Sequence, residues 1–414
     1  MKTDNPLLST LALALLIAAA NNTTHAQTWD TFLPRPDTSE AAGTQVLIDP
    51  FSADPANPAV FIGSQAGKIL RMEPLGATTY ETTGEHDVMG AIFRMGFNPA
   101  DSSAYAIGNR PLVTTPPYPR TNPNVWTVRK SSYDPDFQTW GAWADADLFQ
   151  MSAKDTSTAY GFAADAAGNL YACGTATLKG LPHWIVRRKL AGGSWATIAD
   201  LAPKGSATAY GACFFPGNLT LPPALFVVGT LSGKWTVQRL QNGSWTTVDS
   251  APLSGSANSI TVDSNGNLFV VGTRSGAVSD FGYGWVIRKS TSGGAPGSWL
   301  TVLDVSEGYT SSARHVAVDA SGDLWVTGHT GSTMDIQTSA NRWTVIRNSP
   351  GQSWSDSWNT RQHPFDGLSS NSGARGIATD AYGNVFVTGG VTDLTDGFTA
   401  AWPGPRIVVQ RLVP

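Results

Sequence analysis

One phrase returns along this chain with small changes. It reads YGFAADAAGNLYACG at 160–174, NSITVDSNGNLFVVG at 258–272, RHVAVDASGDLWVTG at 314–328 and RGIATDAYGNVFVTG at 375–389. Less regular copies at 44–63, 93–108 and 210–229 complete a set of seven. The copies close on Gly63, Gly108, Gly174, Gly229, Gly272, Gly328 and Gly389, spaced by 43 to 66 residues. Each holds two short apolar, β-branched runs separated by a tight turn, which is strand chemistry rather than helix chemistry. A period near 50 residues built from strands alone predicts a β-propeller of seven blades.

Two further pieces follow most copies of the phrase. One is a Trp-x-Val-Arg-like strand at 126–130, 184–188, 235–239, 285–289, 343–347 and 407–411. The other comes after a Gly- or Ser-rich turn: SWATIAD (194–200), SWTTVDS (244–250), SWLTVLD (298–304) and SWSDSWN (353–359). Four antiparallel strands make one blade. The seventh unit ends at IVVQRLVP and lacks its fourth strand, whereas TWDTFLP near the N-terminus aligns with the missing piece. The expectation is therefore an all-β, seven-bladed propeller of four-stranded antiparallel blades. The N-terminal strand completes the last blade and closes the ring, which removes the open sheet edges.

The first 26 residues read as an export signal, with Lys2, an apolar run from Leu7 to Ala20 and a small-residue site at 24–26; a cut nearer Ala20 is the alternative. A run of this length is too short to span a bilayer. The expected organisation is a signal peptide over 1–26 and one propeller domain over 27–414, secreted or periplasmic, with no membrane span. The remaining chain of about 388 residues exceeds one ordinary core unless the core is built from repeats. Charged residues are 14 % and the net charge is −4, so the basic footprint of a nucleic-acid binder is missing. Cys173 and Cys213 admit either a disulfide or two buried small apolar side chains. Oligomeric state is left open.

Residues repeated from blade to blade are read as scaffold. Asp165, Asp263, Asp319 and Asp380 each begin a D-x-x-G turn, where a short acceptor binds backbone N–H groups and the Gly supplies a positive φ. Calcium is the sharper alternative, but one carboxylate per turn is too few ligands. No metal and no cofactor is expected. Arg129, Arg187, Arg239, Arg288, Arg347 and Arg411 share one strand position, so pairing or stacking between blades is expected of them.

The stretch RKSTSGGAPGSWLTV (288–302) resembles a degenerate Asp-box, the S-x-D-x-G-x-x-W turn of sialidase-like propellers, with Ser292 where the Asp would stand. KSSYDPDFQTW (130–140) is a looser echo. The D-x-x-G-N phrase is also similar to the repeats of secreted bacterial β-propeller proteins. The resemblance covers nearly the whole chain after the leader and implies a fold, since one propeller frame hosts many functions.

Function is expected where repetition stops. The loops joining strands two and three vary, at 109–124, 273–284, 329–342 and 390–406, and variable loops on a rigid frame are the usual place for binding. On the same face lie the starts of the first strands: Thr44, Phe93, Tyr160, Tyr210, Asn258, Arg314 and Arg375, with Arg94 and His315 one step on. Arginine suits bidentate binding of carboxylate or sulfate, and tyrosine can stack on a sugar or move a proton. The plain alternative is a water-filled channel lined by whatever keeps it wet.

Two functional classes follow. The first is a binding module for an extracellular ligand, a protein or a glycan, with anionic glycans among the candidates. The second is a polysaccharide-active enzyme. A uronate lyase would use Arg314 and Arg375 on the carboxylate and Tyr160, Tyr210 or His315 on the C5 proton. A sialidase-like hydrolase would use Arg94, Arg314 and Arg375, with Glu307 and Tyr309 as the acid–tyrosine pair. Only five Glu occur, and no pair of acids stands at a glycosidase spacing.

Overall fold

The computed structural model describes residues 29–32, 42–75, 80–87, 90–112, 122–251, 254–276, 282–308, 310–331, 341–364, 373–391 and 406–412. The proposed leader, Tyr309 and most of each long loop between strands two and three lie outside them.

The turns and strands assemble as seven antiparallel sheets. Blade 1 holds Gly43–Ile48, Val60–Ser64, Lys68–Pro74 and Tyr80–Asp87. Blade 2 holds Ala91–Asn98, Ser103–Pro111, Asn124–Asp134 and Ala144–Phe149, plus the two-residue strand Thr139–Trp140. Blade 3 runs through Ser157–Ala164, Leu170–Leu178, Leu181–Lys189 and Trp195–Leu201, and blade 4 through Ala207–Phe215, Ala224–Leu231, Lys234–Gln241 and Ser244–Asp249. Blade 5 is Gly255–Val262, Leu268–Ser275, Tyr283–Ser290 and Trp299–Val305. Among the described residues, blade 6 has three strands, Ser312–Val318, Leu324–Gly331 and Asn341–Asn348. Blade 7 comprises Gly373–Thr379, Val385–Val391 and Arg406–Leu412, and its fourth strand is Trp29–Phe32 from the other end of the chain. Each first strand touches the first strands of both neighbouring blades, and blade 7 meets blade 1. The ring is closed.

The clasp is antiparallel, pairing Trp29 with Leu412 and Phe32 with Val409. Trp29 also packs on the core shared by blades 6 and 7, and its Nε1 donates to Gln362 Oε1 at 2.6 Å.

Blade 6 departs from expectation. Residues 353–359 form the turn into a helix, Trp354–Asn359, instead of a fourth strand. Ser353 caps the helix by accepting from the Asp356 N–H. Trp354 and Trp358, four residues apart, then share one helical face and pack on Phe269 and Trp285. Pairing on the third strand is reduced to a single bridge, Val345 to Gln362.

The closing glycines have a packing cause. The strand-three residues Trp126, Trp184, Trp235, Trp285 and Trp343 are fully buried. Each lies over the closing glycine of the next blade: a Cβ on Gly174, Gly229, Gly272, Gly328 or Gly389 would sit 2.7–3.0 Å from the ring. The same Cβ would meet a first-strand carbonyl oxygen at 2.0–2.1 Å. A buried Trp removes about 200 Å² from water, so each seam gains on the order of 5 kcal/mol of transfer free energy.

The D-x-x-G aspartates are spent on their own turns. Asp165 Oδ1 accepts from the N–H groups of Ala167 and Asn169 at 3.0 and 2.9 Å, and Oδ2 accepts from Asn169 Nδ2. Asp263 and Asp380 repeat that pattern. Gly168 and Gly266 take φ of +82° and +80°, where a side chain would be strained.

Four of the six repeated arginines form ion pairs of two kinds, while Arg411 donates to Asn384 Oδ1 of its own blade and to Ala56 O of blade 1. Arg187 and Arg288 reach back to the fourth strand of the preceding blade and bind Asp147 and Asp249 with two nitrogens each. Arg129 pairs within its own blade with Asp145, and Arg347 with Asp323 while stacking on Trp325. Pairing between blades therefore holds for only part of the set, because the carboxylate within reach differs from blade to blade. Both cysteines are free thiols, pushed up to about 12 by burial. Among the described residues, no helix is long and apolar enough to cross a membrane.

Candidate functional site

Every first strand carries one extra residue. The register slips between Gly43 and Gln45, Ile92 and Arg94, Ala159 and Gly161, Ala209 and Gly211, Ala257 and Ser259, Ala313 and His315, and Ala374 and Gly376. The unpaired residues are Thr44, Phe93, Tyr160, Tyr210, Asn258, Arg314 and Arg375. These are the seven positions expected at the channel. A bulge re-aims its side chain away from the ladder, and here seven bulges aim at one axis. All seven line a single cavity of about 270 Å³, together with Arg94 and Gln45.

The ring has unlike sides. Two members stitch blades together: Thr44 Oγ1 donates to Ile92 O at 2.6 Å, and Asn258 Nδ2 donates to Ala313 O at 2.7 Å. Phe93, Tyr160 and Tyr210 form an aromatic wall across three successive blades, with ring centroids 4.8 and 5.4 Å apart. Burial and the neighbouring Tyr210 push the Tyr160 phenol above its ordinary value, against a hydrogen bond with Thr158.

Opposite stands a cationic side. Burial, reinforced by Arg314, brings Arg375 down to about 10. Arg314 keeps solvent contact because it projects into the cavity; the enclosing walls nevertheless lower its pKa, with Tyr210 opposing. Burial lowers Arg94 to about 10 as well. None of the three forms an ion pair among the described residues.

Arg94 crosses the channel from blade 2 to contact His315 Nε2 of blade 6, and also donates to Gln45 Oε1 at 3.3 Å. His315 Nδ1 accepts the Ile377 N–H of blade 7 at 3.1 Å. Burial and then Arg94 hold His315 well below its ordinary pKa. It lines neither cavity, so it acts on the site through Arg94. Glu307 faces elsewhere, paired with Arg361 at 2.6 Å.

A second cavity of about 420 Å³ adjoins the first and shares Ser256, Arg314 and Arg375 with it. Its walls come from second-strand ends and third-strand starts, including Thr273, His329, Tyr283 and Asn341, with Thr310, Ser311 and Ser312 beside them. It therefore opens toward the face of the long loops. Burial, with Arg314 and Arg375 nearby, brings His329 down to about 3, so the ring is neutral at ordinary pH. Thr273, Tyr283, His329 and Asn341 belong to the variable loops 273–284 and 329–342 expected to bind, whereas Thr310, Ser311 and Ser312 lie outside the positions expected there. Among the described residues no carboxylate lines either cavity, and no group of three or more His, Cys, Asp or Glu is placed to hold a metal ion.

No protein-family model matches the chain, and no curated protein does. Among solved structures, the chain is similar to a protein of unknown function from Dyadobacter fermentans. The match covers 92 % of this chain and 97 % of that one, at 11 % sequence identity and a TM-score of 0.44.

Proposed function

We propose that this is an exported binding protein whose channel-mouth cavity holds the acidic group of an extracellular ligand, an anionic glycan being the class that fits best. The observation that carries the reading is the cluster of Arg94, Arg314 and Arg375, with no carboxylate partner among the described residues, facing Phe93, Tyr160 and Tyr210. Cations gathered in one cavity without counter-ions repel one another, and an incoming carboxylate or sulfate would complete them with charge-assisted hydrogen bonds. A sugar ring offers an apolar C–H face to the aromatic wall and its acid to the arginines. Export is part of the proposal and rests on the apolar run from Leu7 to Ala20.

The enzymatic alternative has less support. Most glycosidases use two carboxyl groups across the scissile bond and a sialidase-like one an acid with a tyrosine. Among the described residues no carboxyl group lines either cavity, and Glu307 is paired with Arg361. A lyase would need a tyrosine or histidine as base, yet the Tyr160 phenol is shifted away from ionisation and His315 lines neither cavity. The test is calorimetric titration of the protein with galacturonate, with sialic acid and with sulfated oligosaccharides, while absorbance near 235 nm is followed. Binding that Arg314→Ala and Arg375→Ala each weaken at least tenfold, with silent absorbance, supports the reading. Binding that ignores both substitutions refutes it, and a rising absorbance replaces it with the lyase.

A further inference from the structure

The side chamber tells more about the ligand than the arginines do. Five hydroxyl groups line it, on Ser256, Thr273, Thr310, Ser311 and Ser312. Four of their five protons are already committed. Ser256 donates to Asn258 Oδ1, Thr310 to Asn341 Oδ1 and Ser311 to Glu307 O, while one proton is shared between Thr273 and Ser312 at 2.5 Å. A hydroxyl has one proton and two lone pairs. Thr273 Oγ1 also accepts from Asn258 Nδ2 at 3.3 Å, and Ser311, which is fully buried, accepts from the Glu307 N–H at 3.4 Å. The three hydroxyls of Ser256, Thr273 and Ser312 still bring more lone pairs than protons to the chamber wall. The edge joining it to the central cavity is the reverse, because Arg314 and Arg375 carry only donors.

From this juxtaposition we infer that the ligand is an acidic disaccharide unit. Its carboxylate rests on Arg314 and Arg375, one sugar ring lies against Tyr160 and Tyr210, and a second, hydroxyl-bearing ring donates into the side chamber. This rests on the anion-binding reading above and narrows it. Inorganic sulfate or phosphate brings acceptors and would satisfy only the arginine edge. A neutral sugar would satisfy only the wall. The chamber's volume of about 420 Å³ lies within the range of about 300–1,000 Å³ usual for small-molecule sites, whereas the acidic group alone would leave it unfilled.

The test compares galacturonate, digalacturonate and sodium sulfate by calorimetric titration of the unaltered protein, and then of Ser312→Ala and Thr273→Val. Two or more hydrogen bonds from the second ring predict that digalacturonate binds about tenfold or more tightly than galacturonate. That ratio should fall toward one in both variants. Equal affinity for mono- and disaccharide in the unaltered protein overturns the inference and leaves the anion site standing, with no dependence on how the variants fold. Sulfate binding as tightly as digalacturonate overturns it too. Failure of all three to bind overturns the parent reading instead.

Discussion

Removing a guanidinium from the channel should make the protein more stable. Arg375 is charged at neutral pH, yet its enclosure and the nearby Arg314 bring its pKa down to about 10. Each tenfold loss of proton affinity is about 1.4 kcal/mol, so holding that charge in the folded state costs at most about 3 kcal/mol relative to the unfolded chain. Cavity water screens the group, and a cost of about 1–2 kcal/mol is the working figure. Arg375→Met keeps much of the apolar stem and discards the charge. With unfolding entropy near 2.1 cal/mol/K per residue, a chain of this length gains about 1–2 °C in Tm per kcal/mol, so a rise of about 2 °C is expected by scanning calorimetry at pH 7. The sign follows from linkage. A base whose folded pKa lies below its unfolded one costs stability while protonated. That cost is complete below about pH 10 and is relieved as pH rises through 10 toward the ordinary arginine value. The unaltered protein should also gain Tm from sulfate or galacturonate by mass action, and Arg375→Met should lose most of that gain. A variant that melts several degrees lower would refute the reasoning, because it would show the guanidinium bound to a structural partner.

Three other outcomes are expected. His329, down to about 3, is neutral when folded but titrates near 6.5 when unfolded. Its stabilisation is therefore complete above about pH 6.5 and is lost as pH falls from there toward 3, by at most about 5 kcal/mol and by roughly half of that once cavity water screens the ring; His329→Asn should flatten that part of a urea-midpoint profile against pH. Gly272→Ala would place a methyl group 2.0 Å from Ser256 O and 2.7 Å from the Trp235 ring, at a cost of about 3 kcal/mol, seen as a lower midpoint or loss of soluble protein; an unchanged midpoint would mean the seam is looser than described. Trp29→Ala should cost about 2 kcal/mol, less than a fully buried Trp, and should speed proteolytic cleavage near the clasp, whereas equal cleavage rates would argue that the fourth strand of blade 7 adds little.

The frame could be read from the sequence because its causes repeat. Asp165, Asp263 and Asp380 bind their own turns, and Trp126 through Trp343 need a glycine beneath each ring, so the same letters recur and mark strand ends. The ring of channel residues could be found for the same reason, since counting back from the Asp reaches the same place in most blades. What could not be read is that each of those places is a bulge. The backbone slip depends on pairing, and nothing in Thr44, Phe93 or Arg314 announces it. SWSDSWN misled through its opening Ser-Trp, which matches the true fourth strands; the decisive signal was the four-residue spacing of Trp354 and Trp358 behind a capping serine. The hydroxyl chamber gathers residues from blades 5, 6 and 7 that are far apart in the chain, so only the folded ring brings Ser256, Thr273 and Ser312 together.

The seven bulges bear on how such a protein can change its ligand. A side chain outside the ladder has no register to keep and no core volume to fill. Among the described residues, five of the ring positions, held by Phe93, Tyr160, Tyr210, Arg314 and Arg375, have no blade-to-blade hydrogen bond of the kind that ties Thr44 and Asn258. Point substitutions there can rewrite the chemistry of the cavity while the blades stay as they are. Two chains nearly identical along their strands could then serve unrelated ligands, and two with little overall likeness could share one. Among proteins built on this frame, those five letters would be a better barcode for the ligand than the rest of the chain.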